Sequence, residues 1–134
     1  MKKSIAKLIP AAIKAVQQLK EGDTIPSEYN GYIASMGASI VQMGLLPTIA
    51  VFSDRDAATL KNKGKLLKVI LDVLKDDSTM KPLLKGTLFE TALALHNEPD
   101  KMLQLRNAIT NASIAIKLSM RTYEMKKGKG GEND

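Results

Sequence analysis

Apolar residues recur at spacings of three and four along most of the chain, which is the pattern of helices that bury one face. The clearest case starts at Glu98-Pro99-Asp100 and is predicted to run to about Met125. Its apolar stripe consists of Met102, Leu105, Ile109, Ala112, Ile116, Met120 and Tyr123. A stripe of this length predicts one long helix with one face in the core.

The first segment, Lys2 to Lys20, is also predicted to be a helix, kinked at Pro10 or beginning near it, and Gly22 follows it as a stop signal. Its apolar side is formed by Ile5, Leu8, Ile9, Ala12, Val16 and Leu19, and its basic side by Lys3, Lys7 and Lys14. Such a helix can lie on a membrane surface. A bundle helix with a solvated lysine face is the favoured interpretation.

The longest stretch without a charged residue runs from Tyr29 to Ser53. We predict a helix that ends at Gly44 and a second, short helix that Pro47 helps to start. The apolar face of the first helix comprises Ile33, Met36, Ile40 and Met43. A membrane span is an alternative, but Gly44, Pro47 and a Ser/Gln stripe argue against it. A β-strand from Leu45 to Phe52 would lack a partner.

Two further helices are predicted in the middle of the chain. After a polar connection from Ser53 to Lys63, in which Asp54 and Asp56 are candidate caps, the first contains Leu66, Leu67, Val69, Ile70, Val73 and Leu74. The second, Thr79 to His96, is capped by Asp77 or Ser78 and interrupted at Pro82 and Gly86. His96 then lies at a helix end, which favours a dipole or surface role over catalysis.

These elements predict an all-α fold, a compact bundle of five to six helices in one domain. The domain covers residues 1–125, and the lysine- and glycine-rich residues 126–134 are predicted to be a disordered tail. Aromatic residues make up only 4% of the chain and Trp is absent, so the predicted core consists of Leu, Ile, Val, Ala and Met.

Composition also limits the chemistry that we expect. The chain has no Cys and one His, which excludes thiolate and histidine-cluster metal sites. No spacing resembles a catalytic constellation, so we expect no enzyme, no cofactor and no metal. The lysines near the start interrupt any secretory signal, which predicts a cytoplasmic protein.

The formal net charge of +6 favours polyanionic partners, although it is also compatible with mere solubility. The densest internal cluster, predicted to be a loop around Gly64, contains Lys61, Lys63, Lys65 and Lys68. It is either a solvated loop or a phosphate-contacting one. It is not a P-loop, because the required glycine spacing is absent.

The last helix carries two more groups of residues besides its core stripe. A polar and basic stripe comprises Arg106, Thr110, Ser113, Lys117 and Arg121, and a separate apolar patch comprises Leu103, Ile114 and Leu118. A helix with two apolar faces is either enclosed by its own fold or meets a partner as well. Both interpretations remain open from the pattern alone.

The segment from Tyr32 to Phe52 resembles part of the small α-helical subunit of the type III-B CRISPR effector, the Cmr RNA-silencing complex. The residues that carry this resemblance are Tyr29, Tyr32, Met43, Gly44, Leu45, Ala50 and Phe52. The last helix is similar to the family's C-terminal helix in Thr110, Asn111, Ala112, Lys117, Arg121 and Tyr123. The family's ending, a Trp followed by Lys-Arg, is missing here.

This resemblance implies a non-catalytic subunit that stacks along the filament formed by the complex's backbone subunits and helps to hold target RNA against the guide. Its partners are then other effector subunits, copies of itself, and RNA through backbone contacts, with no membrane or small-molecule substrate. We expect phosphate contacts from Lys61, Lys63, Lys65, Lys68, Arg106, Lys117 and Arg121, with Lys3, Lys7 and Lys14 in reserve. Protein contacts are expected from Leu103, Ile114 and Leu118.

The main alternative is a self-associating helical adaptor with no nucleic-acid role. A DNA-binding regulator is disfavoured, because the helix after Gly44 is too apolar to read bases.

Overall fold

Six α-helices make up most of the described chain, in a computed structural model that describes the backbone of residues 3–53 and 58–131 and the side chains of residues 4–53 and 62–123. The helices are α1 (Lys3–Ala15), α2 (Glu28–Met43), α3 (Leu45–Phe52), α4 (Ala58–Leu74), α5 (Leu88–Leu95) and α6 (Pro99–Gly131). Short 3₁₀ segments cover Val16–Leu19 and Lys81–Leu83. No strand occurs in these ranges, so the all-α prediction is confirmed.

The core lies where α1, α4 and α6 meet. α1 packs along α6 over the largest shared surface, and α4 packs against both. The buried side of α4 comprises Leu66, Leu67, Val69, Ile70, Leu71, Val73 and Leu74. α3 packs between α2 and α5 and closes the other side of the core.

The predicted core stripe of α6 is confirmed. Leu105, Ile109, Ala112, Ile116 and Met120 are buried, and the stripe's two ends, Met102 and Tyr123, are half-buried.

The far end of this stripe is anchored by Tyr123, whose hydroxyl donates a hydrogen bond to the carbonyl of Asp23, in the turn between α1 and α2. The ammonium of Lys20 lies 5.1 Å from the centre of the Tyr123 ring. The far half of α6 is therefore held to the rest of the bundle.

The backbone of α6 is helical to Gly131, beyond the predicted end near Met125. The side chains of residues 124–134 and the backbone of 132–134 lie outside the described residues. The division of the chain at residue 125 stays a prediction.

The predicted lysine-rich loop around Gly64 is wrong. α4 already begins at Ala58, so Lys61 to Lys65 lie within a helix. A helix-interior glycine costs only about 1 kcal/mol relative to alanine, and packing of the apolar half of α4 outweighs that cost. The predicted caps Asp54 and Asp56 lie outside the described residues.

The junction between α2 and α3 forms as predicted. Gly44 ends α2 with a φ of 92°, a value that L side chains rarely adopt, and its N–H donates to the carbonyl of Ile40 at 2.9 Å. The segment from Leu45 to Phe52 is helical, so the alternative of a strand is excluded.

The core differs from the prediction in two ways. Two aromatic residues enter it, because Tyr29 and Phe52 are almost completely buried. Met43, which was predicted to lie on the apolar face of α2, is exposed. It lies on the last turn of α2, where the chain turns at Gly44 and no neighbouring helix covers it.

A capping box starts α5. The Thr87 hydroxyl accepts a hydrogen bond from the N–H of Glu90, and the Glu90 carboxylate accepts one from the N–H of Thr87, both at 3.1 Å. The preceding Gly86 has a φ of 57°, and a Cβ there would come within 2.7 Å of that carboxylate. The predicted interruption at Pro82 and Gly86 is confirmed. Asp77 caps the turn before it through the N–H groups of Thr79 and Met80.

Replacing Thr87 with alanine should destabilise the fold by about 1 kcal/mol, because it removes the hydroxyl that satisfies an orphan N–H group. Chemical denaturation of both proteins measures this difference. Thr122→Ala is the matched control, since the Thr122 hydroxyl only bonds the Leu118 carbonyl within a helix. We expect the control to change the stability by less than about 0.5 kcal/mol.

Burial of Tyr29, with smaller effects from Glu28 and Glu21, raises the pKa of its phenol to about 12. Because an unfolded tyrosine ionises near 10, the unfolded chain loses this proton first. The free energy of unfolding should therefore fall as the pH rises from about 10 to about 12. Denaturation across this range tests the effect, and Tyr29→Phe should show a shallower fall. Equal slopes for the two proteins would contradict this assignment.

Candidate functional site

The outer face of α6 carries exposed cationic side chains. Arg106, Lys117 and Arg121 are all exposed, opposite the buried stripe of the same helix. From Lys101 to Tyr123 the sequence contains no Asp or Glu, so no anion on this segment offsets them. Arg106 and Arg121 lie about 22 Å apart along the helix axis. We call these three residues the α6 basic stripe.

Thr110 and Ser113, the two uncharged residues of the predicted polar stripe, do not contribute to its cationic surface. Thr110 is exposed, and its hydroxyl donates to the carbonyl of Arg106 at 2.9 Å. Ser113 is buried, and its hydroxyl oxygen has no hydrogen-bond partner among the described residues. Ser113 thus belongs to the edge of the core, and the accessible part of the stripe is cationic.

The predicted partner patch on α6 is exposed in two of its three positions. Leu103 is 55% exposed and Ile114 is 40% exposed. Leu118 is half-buried and packs against the core. Ile114 precedes Lys117 by three residues and Arg121 by seven, which places it on the same helix face as the basic stripe. We call Leu103 and Ile114 the α6 apolar patch.

The lysines of α4 do not form one cluster. Lys65 and Lys68 are exposed on one face, and the backbone position of Lys61 lies one turn before Lys65, although its side chain is outside the described residues. Lys63 lies on the other side of the helix. Its ammonium is 4.9 Å from the centre of the Phe52 ring and 5.6 Å from that of Tyr32.

Lys63 therefore joins α4 to α2 and α3 through cation–π contacts. The Glu28 carboxylate strengthens the same junction by accepting hydrogen bonds from the Tyr32 hydroxyl at 3.0 Å and the Asn62 amide at 2.9 Å. Burial and the bond to Glu28 raise the pKa of Tyr32. The residues Tyr29, Tyr32 and Phe52, which carry the family resemblance, are structural at this junction.

The exposed face of α4 also carries an anion. Asp72 accepts hydrogen bonds from the Lys75 ammonium at 3.3 Å and from the Gln18 amide at 2.6 Å. Asp72 lies one turn after Lys68, so it offsets part of the positive charge on this face, whereas the α6 basic stripe has no acidic residue on its segment. Of the three reserve lysines, Lys14 is exposed, Lys7 lines a cleft described below, and the Lys3 side chain lies outside the described residues.

A second surface was not predicted from the sequence. The outer face of α2 and α3 is exposed and, from Gly31 onward, uncharged, although a quarter of the whole chain is charged. We call it the α2–α3 face; it comprises Gly31, Ala34, Ser35, Gly37, Ala38, Val41, Gln42, Met43, Pro47, Ala50 and Val51. Val41 is 75% exposed. Depletion of charge together with exposed apolar side chains is typical of a protein interface.

Two glycines on this face make no contact with the described residues that would require a glycine. Gly31 and Gly37 lie inside α2 with negative φ, and a Cβ at either position would meet no atom within 4 Å. Each costs about 1 kcal/mol relative to alanine in a helix interior. Nothing in the packing of the described residues offsets this cost. Small residues at such positions let the backbone of another helix approach closely.

The described part of the chain contains neither a candidate metal site nor a helix that could cross a membrane. Among the described residues, no three His, Asp or Glu side chains come together at a possible metal site. No helix searched there is both long and apolar enough to cross a bilayer. His96 is exposed at the end of α5, with Nδ1 2.6 Å from the Leu93 carbonyl oxygen.

Comparison with known proteins matches the chain to one family model, described as CRISPR-associated protein (Cas_Cmr5), over residues 5–117. Neither a curated protein nor a solved structure gives a match. The matched range includes nearly all of α1, all of α2 to α5, and the α6 face as far as Lys117. The chain therefore belongs to the CRISPR-associated protein (Cas_Cmr5) family, and it is a small subunit of a Cmr-type CRISPR effector complex.

Proposed function

We propose that the chain is a non-catalytic small subunit of a type III-B effector in antiviral defence. In this proposal it stacks with copies of itself along the backbone filament and helps to hold target RNA against the guide. The observation that carries the RNA-binding part is the outer face of α6. This face presents Arg106, Lys117 and Arg121 with no acidic residue between Lys101 and Tyr123.

Contacts between these side chains and phosphates would not depend on the RNA sequence. Phosphate contacts position a nucleic acid without reading its bases, which suits a subunit in a complex whose specificity comes from guide pairing. Three exposed cations on one rigid helix give weak binding by a single copy. Several copies in a row would bind much more strongly, because after the first contact the others become intramolecular.

Stacking is supported by two different unpartnered surfaces, the α2–α3 face and the α6 apolar patch. A contact between two unlike surfaces of identical subunits is head-to-tail, and it produces an open array when the rotation does not close. Exposed Leu103 and Ile114 supply protruding apolar side chains. The small residues of the α2–α3 face supply a surface that admits them.

We propose no chemical step for this subunit, and we place its work in the cytoplasm beside the other effector subunits. Its one histidine is exposed, and the partner of its Nδ1 is the backbone carbonyl of Leu93, not a carboxylate or a hydroxyl. Turnover of any phosphodiester by the pure protein would overturn this part of the proposal.

The proposal is tested by assembling the effector complex with and without this chain and measuring target-RNA affinity at several salt concentrations. We expect omission of the chain to weaken target-RNA binding. The logarithm of the association constant should then fall less steeply with the logarithm of the salt concentration. The adaptor alternative is also favoured by the uncharged α2–α3 face. It predicts a stable homo-oligomer and no salt-dependent contribution of this chain to RNA affinity. Unchanged affinity and slope after omission would select the adaptor.

A further inference from the structure

A polar cleft lies where α1, α6 and the turn after α4 meet, away from the α2–α3 face. Its volume is about 450 Å³, within the range of small-ligand sites. Its floor is apolar and buried, formed by Leu8, Met80 and Ala108. Its remaining lining residues are polar or charged.

One wall is a row of side-chain amides on α6: Gln104, Asn107 and Asn111. None of the three side-chain amides is hydrogen-bonded to another described residue. Each offers a carbonyl acceptor and two N–H donors, so each can pair with the N–H and C=O of a peptide group. The row extends about 10 Å along the helix, which is the length of about three residues of extended chain.

The charges in the cleft differ from those of the rest of the molecule. Lys7 faces it from α1, and Asp76 and Asp77 face it from the turn after α4. Asp77 already accepts two backbone N–H groups, at 2.9 and 3.2 Å. Asp76 is exposed and has no side-chain partner among the described residues. These three groups give a net charge of −1 on a chain whose net charge is +6.

We propose that this cleft binds an extended polypeptide segment of another effector subunit, with the amide row pairing to its backbone and Asp76 pairing to a basic side chain. Two carboxylates disfavour a phosphate backbone, so a polypeptide fits the cleft better than RNA does. The identification of the partner as an effector subunit rests on the proposed function. The cleft would give the chain a protein contact independent of stacking.

A single introduced cysteine tests this directly, because the chain has none of its own. Asn107→Cys, labelled with a benzophenone maleimide, is incorporated into the purified complex and irradiated. Cross-linked peptides are then identified by mass spectrometry. Gln17→Cys, at an exposed position outside the cleft, is the matched control.

We expect Asn107→Cys to cross-link to one segment of another subunit that contains Lys or Arg. Adding Asp76→Lys should lower this product about tenfold, as for loss of one charge-assisted hydrogen bond. Cross-linking only to RNA, or no more protein product than from Gln17→Cys, would overturn the inference. Failure of the unaltered chain to co-purify with other subunits would refute the proposed function itself, and the cleft assignment with it.

Discussion

Replacing Arg106, Lys117 and Arg121 with glutamine should lower the affinity of the assembled complex for target RNA by roughly 30-fold at 0.2 M salt for each copy of the chain that contacts the RNA. This value assumes one phosphate contact for each side chain, and each single-strand contact contributes about 0.7 to the salt slope. The three side chains of one copy together change the slope by about 2. Because all three side chains are exposed, the fold should not be affected.

The measurement is a salt titration of target-RNA binding by complexes that contain the triple variant or the unaltered chain. The matched control removes the same amount of charge elsewhere, by changing Lys75, Lys81 and Lys85 to glutamine. All three lysines are exposed. We expect the control to leave the slope nearly unchanged. An equal loss in both variants would mean that net charge matters and the α6 basic stripe does not.

Replacing Gly31 and Gly37 with alanine should stabilise the free chain and weaken its assembly. Neither added Cβ meets an atom of the fold, so the free energy of unfolding should rise by about 1–2 kcal/mol in total from better helix propensity. If a neighbour packs on this face, the same methyl groups overfill the contact, at a cost of about 1–3 kcal/mol. Denaturation of the free chain measures the first effect, and the number of copies retained in the complex measures the second.

Gly64→Ala is the control for this pair of effects. Gly64 is also inside a helix, and a Cβ there also meets nothing within 4 Å. We expect it to stabilise the free chain to a similar degree per site and to leave assembly unchanged. If the Gly31 and Gly37 variant assembled as well as the Gly64 variant does, the α2–α3 face would not be a stacking surface.

Much of the fold was predictable because the relevant patterns are long or chemically specific. The stripe from Leu105 to Met120 spans more than four turns, so its period identifies the buried side of α6 without ambiguity. Gly44 was predictable because few residues other than glycine tolerate its backbone conformation. The capping box at Thr87 and Glu90 was missed, although its Thr-x-x-Glu spacing was present in the sequence.

The functional surfaces were harder to predict, for physical reasons. Asn62 and Gly64 are poor helix formers, so the cluster from Lys61 to Lys68 resembled a loop until the packing of α4 decided its structure. Helical period then separated Lys63, which packs on two aromatic rings, from its neighbours. The α2–α3 face was hidden because uncharged small residues serve a core and an interface equally well. Periodicity reports which residues share a face, but it does not report what covers that face.

We expect several copies of this chain to stack beside a guide RNA in one complex. Native mass spectrometry of the complex, purified from its host through a tag on this chain, measures the number of copies. We predict a mass that requires more than one copy of the chain, together with other effector subunits and one short RNA. A homo-oligomer without RNA, or a complex that holds a single copy, would refute stacking of the chain along a guide RNA.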